Sequence, residues 1–178
     1  MTFHGTTIED AKIYLRGIAD KGEKCPCCQQ MVKFYRRTIN SSMAFGLMVA
    51  HKYTREDHDK IFHVTDISKA IPECGALRGG GDWSKLRYWG LIDEVREETE
   101  DGNPHAGLWR ITQKGRDFVQ NNISVRKTKV VYDGKVIGED GDLVGIAQAL
   151  GNKFNYAELM KDYSKPPQPE LFEEGATS

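Results

Sequence analysis

Apolar residues recur at helical spacing in two separate stretches of the N-terminal third. The first runs from Ile8 to Ala19. Threonines and acidic residues at its start form a capping box, and Gly22 ends it. The second follows the capping residue Asn40 and extends to Tyr53. Between them, Gln29 to Ile39 satisfies neither the helical nor the strand period cleanly, so it could form either element, and of the two we predict a helix.

The next stretch predicts a short strand, two helices, a hairpin and a closing helix. Asp82 is the expected cap of the second of these helices, and Gly90 its end. The order is that of a winged helix-turn-helix domain, which we place at residues 40–122. The predicted elements are Ile61–Val64, Asp66–Ile71, a helix from Trp83, the strands Leu91–Glu98 and Gly107–Thr112, and Gln113–Asn121.

The pattern changes again after residue 122. Asp133-Gly134 predicts the two-residue turn of a β-hairpin, and Asp142 and Asn155 are expected to cap two short helices. This annex, residues 123–163, is too small for a core of its own, so we expect it to pack on the main domain. The fold class predicted is α+β, with a helical, cysteine-rich segment at 1–39 and a disordered tail at 164–178.

Composition limits the partners that the chain can have. Its 178 residues are 39% hydrophobic, enough for one core, and 25 basic against 26 acidic residues leave a net charge of -1. A nucleic-acid surface must therefore be local. The sequence lacks an apolar run of the roughly 18 residues that a membrane span needs, and also the features of a signal peptide, so we expect a cytoplasmic protein without membrane contact.

The helix that starts at Trp83 carries the main functional prediction. Leu86 and Trp89 are expected to face the core, which leaves a cationic side exposed. The planar fork of Arg87 can pair with guanine, so this helix is predicted to read duplex DNA. Neighbouring cations would add phosphate contacts. The candidate nucleic-acid-binding residues are Arg78, Ser84, Lys85, Arg87, Tyr88, Arg126, Lys127 and Lys129.

The predicted wing argues against simple DNA binding. Glu97, Glu98, Glu100 and Asp101 stand where a DNA-contacting wing usually has cations, and carboxylates repel phosphates. Either the wing points away from the duplex, or the winged helix binds protein. The alternative function is therefore a protein-interaction adaptor, or an inhibitor of a host protein, that uses the winged helix and acidic wing without nucleic acid.

Cys25 and Cys28 have the two-residue spacing of a zinc knuckle. A structural zinc ion needs four ligands, so this pair is half a site. Partly buried thiols and a redox role are the other interpretations. Further donors could come from Cys27, Cys74, His51, His58 and His63.

The sequence has no phosphate-binding loop, nucleophile elbow or zinc-protease motif, so we expect no enzymatic activity.

The tail segment Gln168-Pro-Glu-Leu-Phe172 resembles the motif by which bacterial replication proteins dock on the DNA sliding clamp. That resemblance implies that Gln168 forms hydrogen bonds while Leu171 and Phe172 fill an apolar pocket. Pro169 departs from the usual aliphatic residue, and a plain disordered tail is the alternative.

Two stretches, Leu86-Arg-Tyr-Trp-Gly-Leu-Ile92 and Trp109-Arg-Ile-Thr-Gln-Lys-Gly115, resemble the recognition-helix exit and second wing strand of bacterial and phage winged-helix proteins. From about Cys25 to Met160, the chain resembles small uncharacterised phage and prophage proteins with a Cys-Pro-Cys-Cys segment. The resemblance implies a role in viral replication or regulation. Our interpretation is a non-enzymatic, phage-type duplex-DNA-binding protein.

Overall fold

A computed structural model of the chain describes residues 7–25, 28–70, 82–96 and 107–161. Within these ranges, helices combine with three small antiparallel sheets, so the fold is α+β. The helices are α1 (Ile8–Ile18), α2 (Ser41–Tyr53), α3 (Val64–Ala70), α4 (Gln113–Val119), α5 (Ile146–Leu150), α6 (Tyr156–Lys161) and the 3₁₀ helices Trp83–Trp89 and Gly151–Lys153. The strands are β1 (Glu23–Lys24), β2 (Met31–Val32), β3 (Tyr35–Thr38), β4 (Phe62–His63), β5 (Ile92–Val95), β6 (Leu108–Ile111), β7 (Val125–Tyr132) and β8 (Lys135–Val144). None of the described helices has the length and apolar character required to cross a bilayer.

Predicted side-chain caps begin helices α1, α2 and α6. The Thr7 hydroxyl accepts a hydrogen bond from the Asp10 amide at 3.2 Å, and the Asp10 carboxylate bonds back to Thr7, which completes a capping box. Asn40 Oδ1 accepts from the Met43 amide at 2.9 Å. Asn155 Oδ1 caps α6 in the same way. These predicted starts are confirmed.

The predicted helix over Gln29–Ile39 is wrong, because the segment forms strands β2 and β3. Strand β3 pairs antiparallel with β7, with Tyr35 opposite Val131 and Thr38 opposite Thr128. The pairing partner of Thr38 lies 90 residues further along the chain, so a local pattern could not indicate it. The N-terminal segment is thereby tied to the annex through one sheet.

The central part of the chain follows the predicted order of elements. After α2 come β4, α3, the Trp83–Trp89 helix and the β5–β6 pair, and the strands lie in the order β4-β6-β5. Trp109 on β6 is opposite Phe62 on β4 and Glu94 on β5. Strand β6 is thus the central strand of this sheet.

The third sheet has the order β3-β7-β8. Asp133 and Gly134 both have positive φ, 47° and 70°, as the predicted two-residue turn requires. The returning strand runs to Val144. Asp142, predicted to cap the next helix, therefore lies inside β8, and Gly145 is the residue before α5.

One hydrophobic core joins the central part of the chain to the annex. The Phe45 ring on α2 stacks on Phe154 after α5, with centroids 4.3 Å apart. The annex residues therefore pack on α2 and share one core with the β4-β6-β5 sheet. The core includes Leu47, Met48, Phe62, Leu86, Trp89, Ile92, Trp109 and Ile111, together with Val125, Val144, Ile146 and Leu150 from the annex.

Candidate nucleic-acid interface

The 3₁₀ helix Trp83–Trp89, called the 83–89 helix below, has one buried side. Trp83, Leu86 and Trp89 are buried, and this spacing of three matches the three residues per turn of a 3₁₀ helix. Gly90 ends the helix with φ 67°, the left-handed conformation expected of a C-terminal glycine. The predictions for Leu86, Trp89 and Gly90 are confirmed, although the helix is 3₁₀ and only seven residues long.

The opposite side of the 83–89 helix presents two cations. Arg87 is exposed, whereas Ser84, Lys85 and Tyr88 are half-buried. The Tyr88 ring packs against the core and lies 5.4 Å from the Arg87 guanidinium carbon. Lys85 and Arg87 are therefore the long polar groups that this helix offers to a partner.

Lys85 forms an ion pair with Asp82 at the start of the helix. The Asp82 carboxylate also accepts a hydrogen bond from Asn40 Nδ2 at 3.2 Å. The bond from Lys85, and then that from Asn40, lowers the pKa of Asp82. Asp82 stands at the N-cap position of the 83–89 helix as predicted, but its side chain forms no capping bond to the helix amides, so that part of the prediction is wrong. Its side chain is held by two other partners instead.

Arg87 forms an ion pair with Glu94 on the neighbouring strand β5, with Nη1 and Oε2 3.3 Å apart. Arg96 approaches the same carboxylate oxygen at 3.8 Å. The side chains of Arg87 and Glu94 are 41% and 30% exposed. Exposed pairs of this kind contribute about 0–1 kcal/mol, so a phosphate or a base edge can displace Glu94 at small cost.

Strand β7 lies against the C-terminal end of the 83–89 helix. The Trp89 indole Nε1 donates to the Arg126 carbonyl oxygen at 2.6 Å. The Arg126 side chain is exposed and donates to the Gly141 carbonyl at 3.1 Å, and Lys127 is exposed beside it. The structure thus brings the backbone of Arg126 into contact with the helix, and Lys127 is the next residue of the strand.

Lys129 is placed differently from the other strand cations. It is only 6% exposed and forms an ion pair with Glu139 on β8. A buried, paired ammonium cannot reach a phosphate without breaking this pair. We therefore expect Lys129 to stabilise the fold and not to contact phosphate. The hydrogen bond from Lys129 is also the main reason that the pKa of Glu139 is lowered.

Sequence reasoning did not identify Lys114 on α4. A Cβ atom on Gly90 would lie 4.0 Å from Lys114 Cδ, so the lysine stem passes the end of the 83–89 helix. The cause is Thr112, whose hydroxyl donates to the Gly90 carbonyl at 2.7 Å and accepts from Gly115 at 2.9 Å. No local sequence pattern marks Lys114, because its position depends on that tertiary contact.

Cys25 is buried and Cys28 is exposed, and both lie at the turn between β1 and β2. The histidines considered as further metal donors lie on other elements, on α2 (His51), in the loop after it (His58) and on β4 (His63). Among the described residues, no three or more His, Cys, Asp or Glu side chains come together as a metal site would require. The zinc interpretation of Cys25 and Cys28 therefore stays a prediction.

Several predicted residues lie outside the described ranges, and the predictions made for them stay predictions. They are Arg78, the acidic wing at 97–101, Cys27, Cys74, and the tail residues Gln168, Leu171 and Phe172.

No family model matches the chain, and no curated protein or solved structure matches it either. The resemblance to phage winged-helix proteins therefore stays a prediction.

Proposed function

We propose that the chain is a winged helix-turn-helix protein that binds duplex DNA and catalyses no reaction. The observation that carries the proposal is the element order α2, β4, α3, 83–89 helix, β5, β6, with strands in the order β4-β6-β5. In winged-helix proteins this order places the third helix on the outer surface, where it can enter the major groove. Here that helix presents Lys85 and Arg87.

The proposed contacts divide into base and phosphate contacts. Arg87 would exchange its ion pair with Glu94 for a guanine base, because a guanidinium group can donate to the two acceptor atoms of guanine in the major groove. The Lys114 stem and the Arg126 backbone lie beside the C-terminal end of the same helix, and the side chains of Lys114, Arg126 and Lys127 would contact phosphates. Because the net charge is only -1, this local group of cations would supply the electrostatic attraction.

A protein-interaction adaptor is the second candidate. It is favoured by the carboxylates Asp82, Glu94 and Glu139, each of which forms an ion pair with a cation of this region. A surface with its charges already paired suits a protein partner better than a polyanion. A phage-type role in the cytoplasm, in regulation or replication, is part of the proposal under either candidate.

Fluorescence anisotropy with random and genomic duplex fragments tests the DNA proposal. Binding should weaken steeply as salt rises, and Arg87→Ala should cost about 1–3 kcal/mol at a preferred site. Glu94→Gln should strengthen binding, because it removes the carboxylate that competes for Arg87.

Arg16→Ala is the matched control, since it removes one exposed arginine from α1 and leaves the 83–89 helix unchanged. It should bind like the wild type. If no fragment binds at low salt, or if Arg16→Ala and Arg87→Ala weaken binding equally, the DNA proposal is wrong and the adaptor is favoured.

A further inference from the structure

A cleft opens where the start of α2 meets the β7–β8 hairpin and the end of α5. Its volume of about 480 Å³ lies within the range of about 300–1,000 Å³ that is usual for small-molecule sites. The Ile39 amide donates to the Lys127 carbonyl oxygen at 2.9 Å, which holds the start of α2 against β7. Ile39, Val144 and Leu150 line the cleft and also belong to the hydrophobic core. The floor of the cleft is therefore part of the packed core.

Two lysines from different elements line this cleft. Lys127 lies on β7 and Lys153 on the 3₁₀ helix after α5, and both are exposed. Ser41, the first residue of α2, lines the same cleft, and the N-terminus of this 13-residue helix carries a partial positive charge. Two ammonium groups match the charge of about -1.5 to -2 that a phosphate monoester has at pH 7. The cationic part of the lining thus favours a phosphate group.

Two side-chain amides add neutral hydrogen-bonding groups to the lining. The Gln148 Oε1 accepts from the Gly145 amide at 2.9 Å, so this side chain is held across the first turn of α5. The Nε2 group of the same amide is a hydrogen-bond donor, and Asn152 offers another amide on the same side as Lys153 in the sequence. A few polar groups of this kind orient a ligand in a small-molecule site.

The remaining lining suits the other parts of a nucleotide. Leu143, 58% exposed, and the half-buried Ala149 offer apolar surface on which a planar base can pack. Asp142 also lines the cleft, and its carboxylate accepts hydrogen bonds from hydroxyl groups but repels phosphate. The cleft should therefore select a ligand with sugar hydroxyls and a base over phosphate alone.

We propose that this cleft binds a free ribonucleoside monophosphate. The phosphate group lies between Lys127 and Lys153, and the base packs on Leu143. The sugar hydroxyls donate to Asp142. This inference goes beyond the proposed DNA binding and does not depend on it. Because Lys127 is also a proposed contact to DNA, Lys153 is the lysine that tests the cleft by itself.

The test is isothermal titration calorimetry of the purified full chain with AMP, GMP, CMP and UMP. At least one of these nucleotides should bind, and its nucleoside and inorganic phosphate should each bind at least about tenfold more weakly, because each lacks part of the contacts. Lys153→Ala should weaken nucleotide binding about threefold to tenfold, as expected for one exposed charged contact. Circular dichroism should show an unchanged fold, since Lys153 is exposed.

Lys135→Ala is the matched control, because it removes an exposed lysine at the end of β8 opposite Val144 and should bind the nucleotide like the wild type. Arg87→Ala should also keep the nucleotide affinity, so this result is separate from any loss of duplex binding. The proposal is overturned if none of the nucleotides binds, or if the nucleoside or inorganic phosphate binds as tightly. It is also overturned if Lys153→Ala weakens binding no more than Lys135→Ala or Arg87→Ala does.

Discussion

His51 is a buried histidine in the C-terminal half of α2. Burial lowers the pKa of its imidazole, and the nearby charges of His58 and Arg116 lower it further. In the unfolded chain a histidine takes up a proton near pH 6.5. Below that pH the unfolded state therefore binds more protons than the folded state, and acid shifts the equilibrium toward unfolding.

We expect the free energy of unfolding to decrease as the pH falls below about 6.5, with His51 as a cause. His51→Leu removes the titrating group. The free energy of unfolding of this variant should therefore change less with pH, whether the variant is more or less stable than the wild type at neutral pH. Urea unfolding at several pH values between neutral and mildly acidic measures the slope for both proteins. Equal slopes would show that another group controls the acid response.

The sequence predicts the burial of a single residue well when that burial depends only on which side of a short helix the residue occupies. Leu86 and Trp89 were expected inside and Arg87 outside, and each lies there. Asp82 and Lys129 could not be predicted in this way. Their positions depend on partners from other elements, such as Asn40 and Glu139, which local patterns do not bring together.

Helix α4 approaches the start of strand β5 so closely that only glycine fits at the contact. A Cβ atom on Gly115 would overlap the Leu91 carbonyl oxygen and lie 2.9 Å from Ile111 Cγ2. Backbone atoms cannot rearrange as a flexible side chain can. The α4–β5 contact should therefore be highly sensitive to one added methyl group.

Gly115→Ala should lower the free energy of unfolding by about 1–3 kcal/mol, measured by urea unfolding. Gly17→Ala is the matched control. Gly17 lies inside α1 with open space around it, so alanine should raise the stability by about 0.5–1 kcal/mol. A tolerated Gly115→Ala would mean that α4 can move away from Leu91.

Whole elements were predictable where caps and turns mark them, as for α1, α2 and the Asp133–Gly134 hairpin. Strand β3 carried no such mark. Its residues Tyr35–Thr38 are mostly exposed and polar, and β7 makes them a strand by pairing with them from a distant part of the sequence. The β1–β2 ladder is only two residues long, too short for any periodic pattern.

At the scale of the molecule, the predicted domain boundary at residue 122 cuts through one hydrophobic core. Val125, Val144, Ile146 and Leu150 all belong to the cluster built around α2. Full burial of such side chains contributes about 1.5–3 kcal/mol each, which together approaches the 5–15 kcal/mol stability of a whole domain. Residues 40–122 therefore depend on the annex.

A chain that ends at residue 122 should lose cooperative thermal unfolding, as followed by circular dichroism. A chain that ends at Lys161 keeps every described residue and should unfold like the full chain. If the shorter chain still unfolds in one sharp transition, the winged-helix part has an independent core.

All three tryptophans, Trp83, Trp89 and Trp109, lie in this common core. Their fluorescence maximum should lie at short wavelength in the native protein. On unfolding it should shift to longer wavelength in a single step, because water then reaches all three indoles. A ligand on the outer side of the 83–89 helix would leave these rings shielded. Intrinsic fluorescence would then report loss of the native state alone, independently of occupancy.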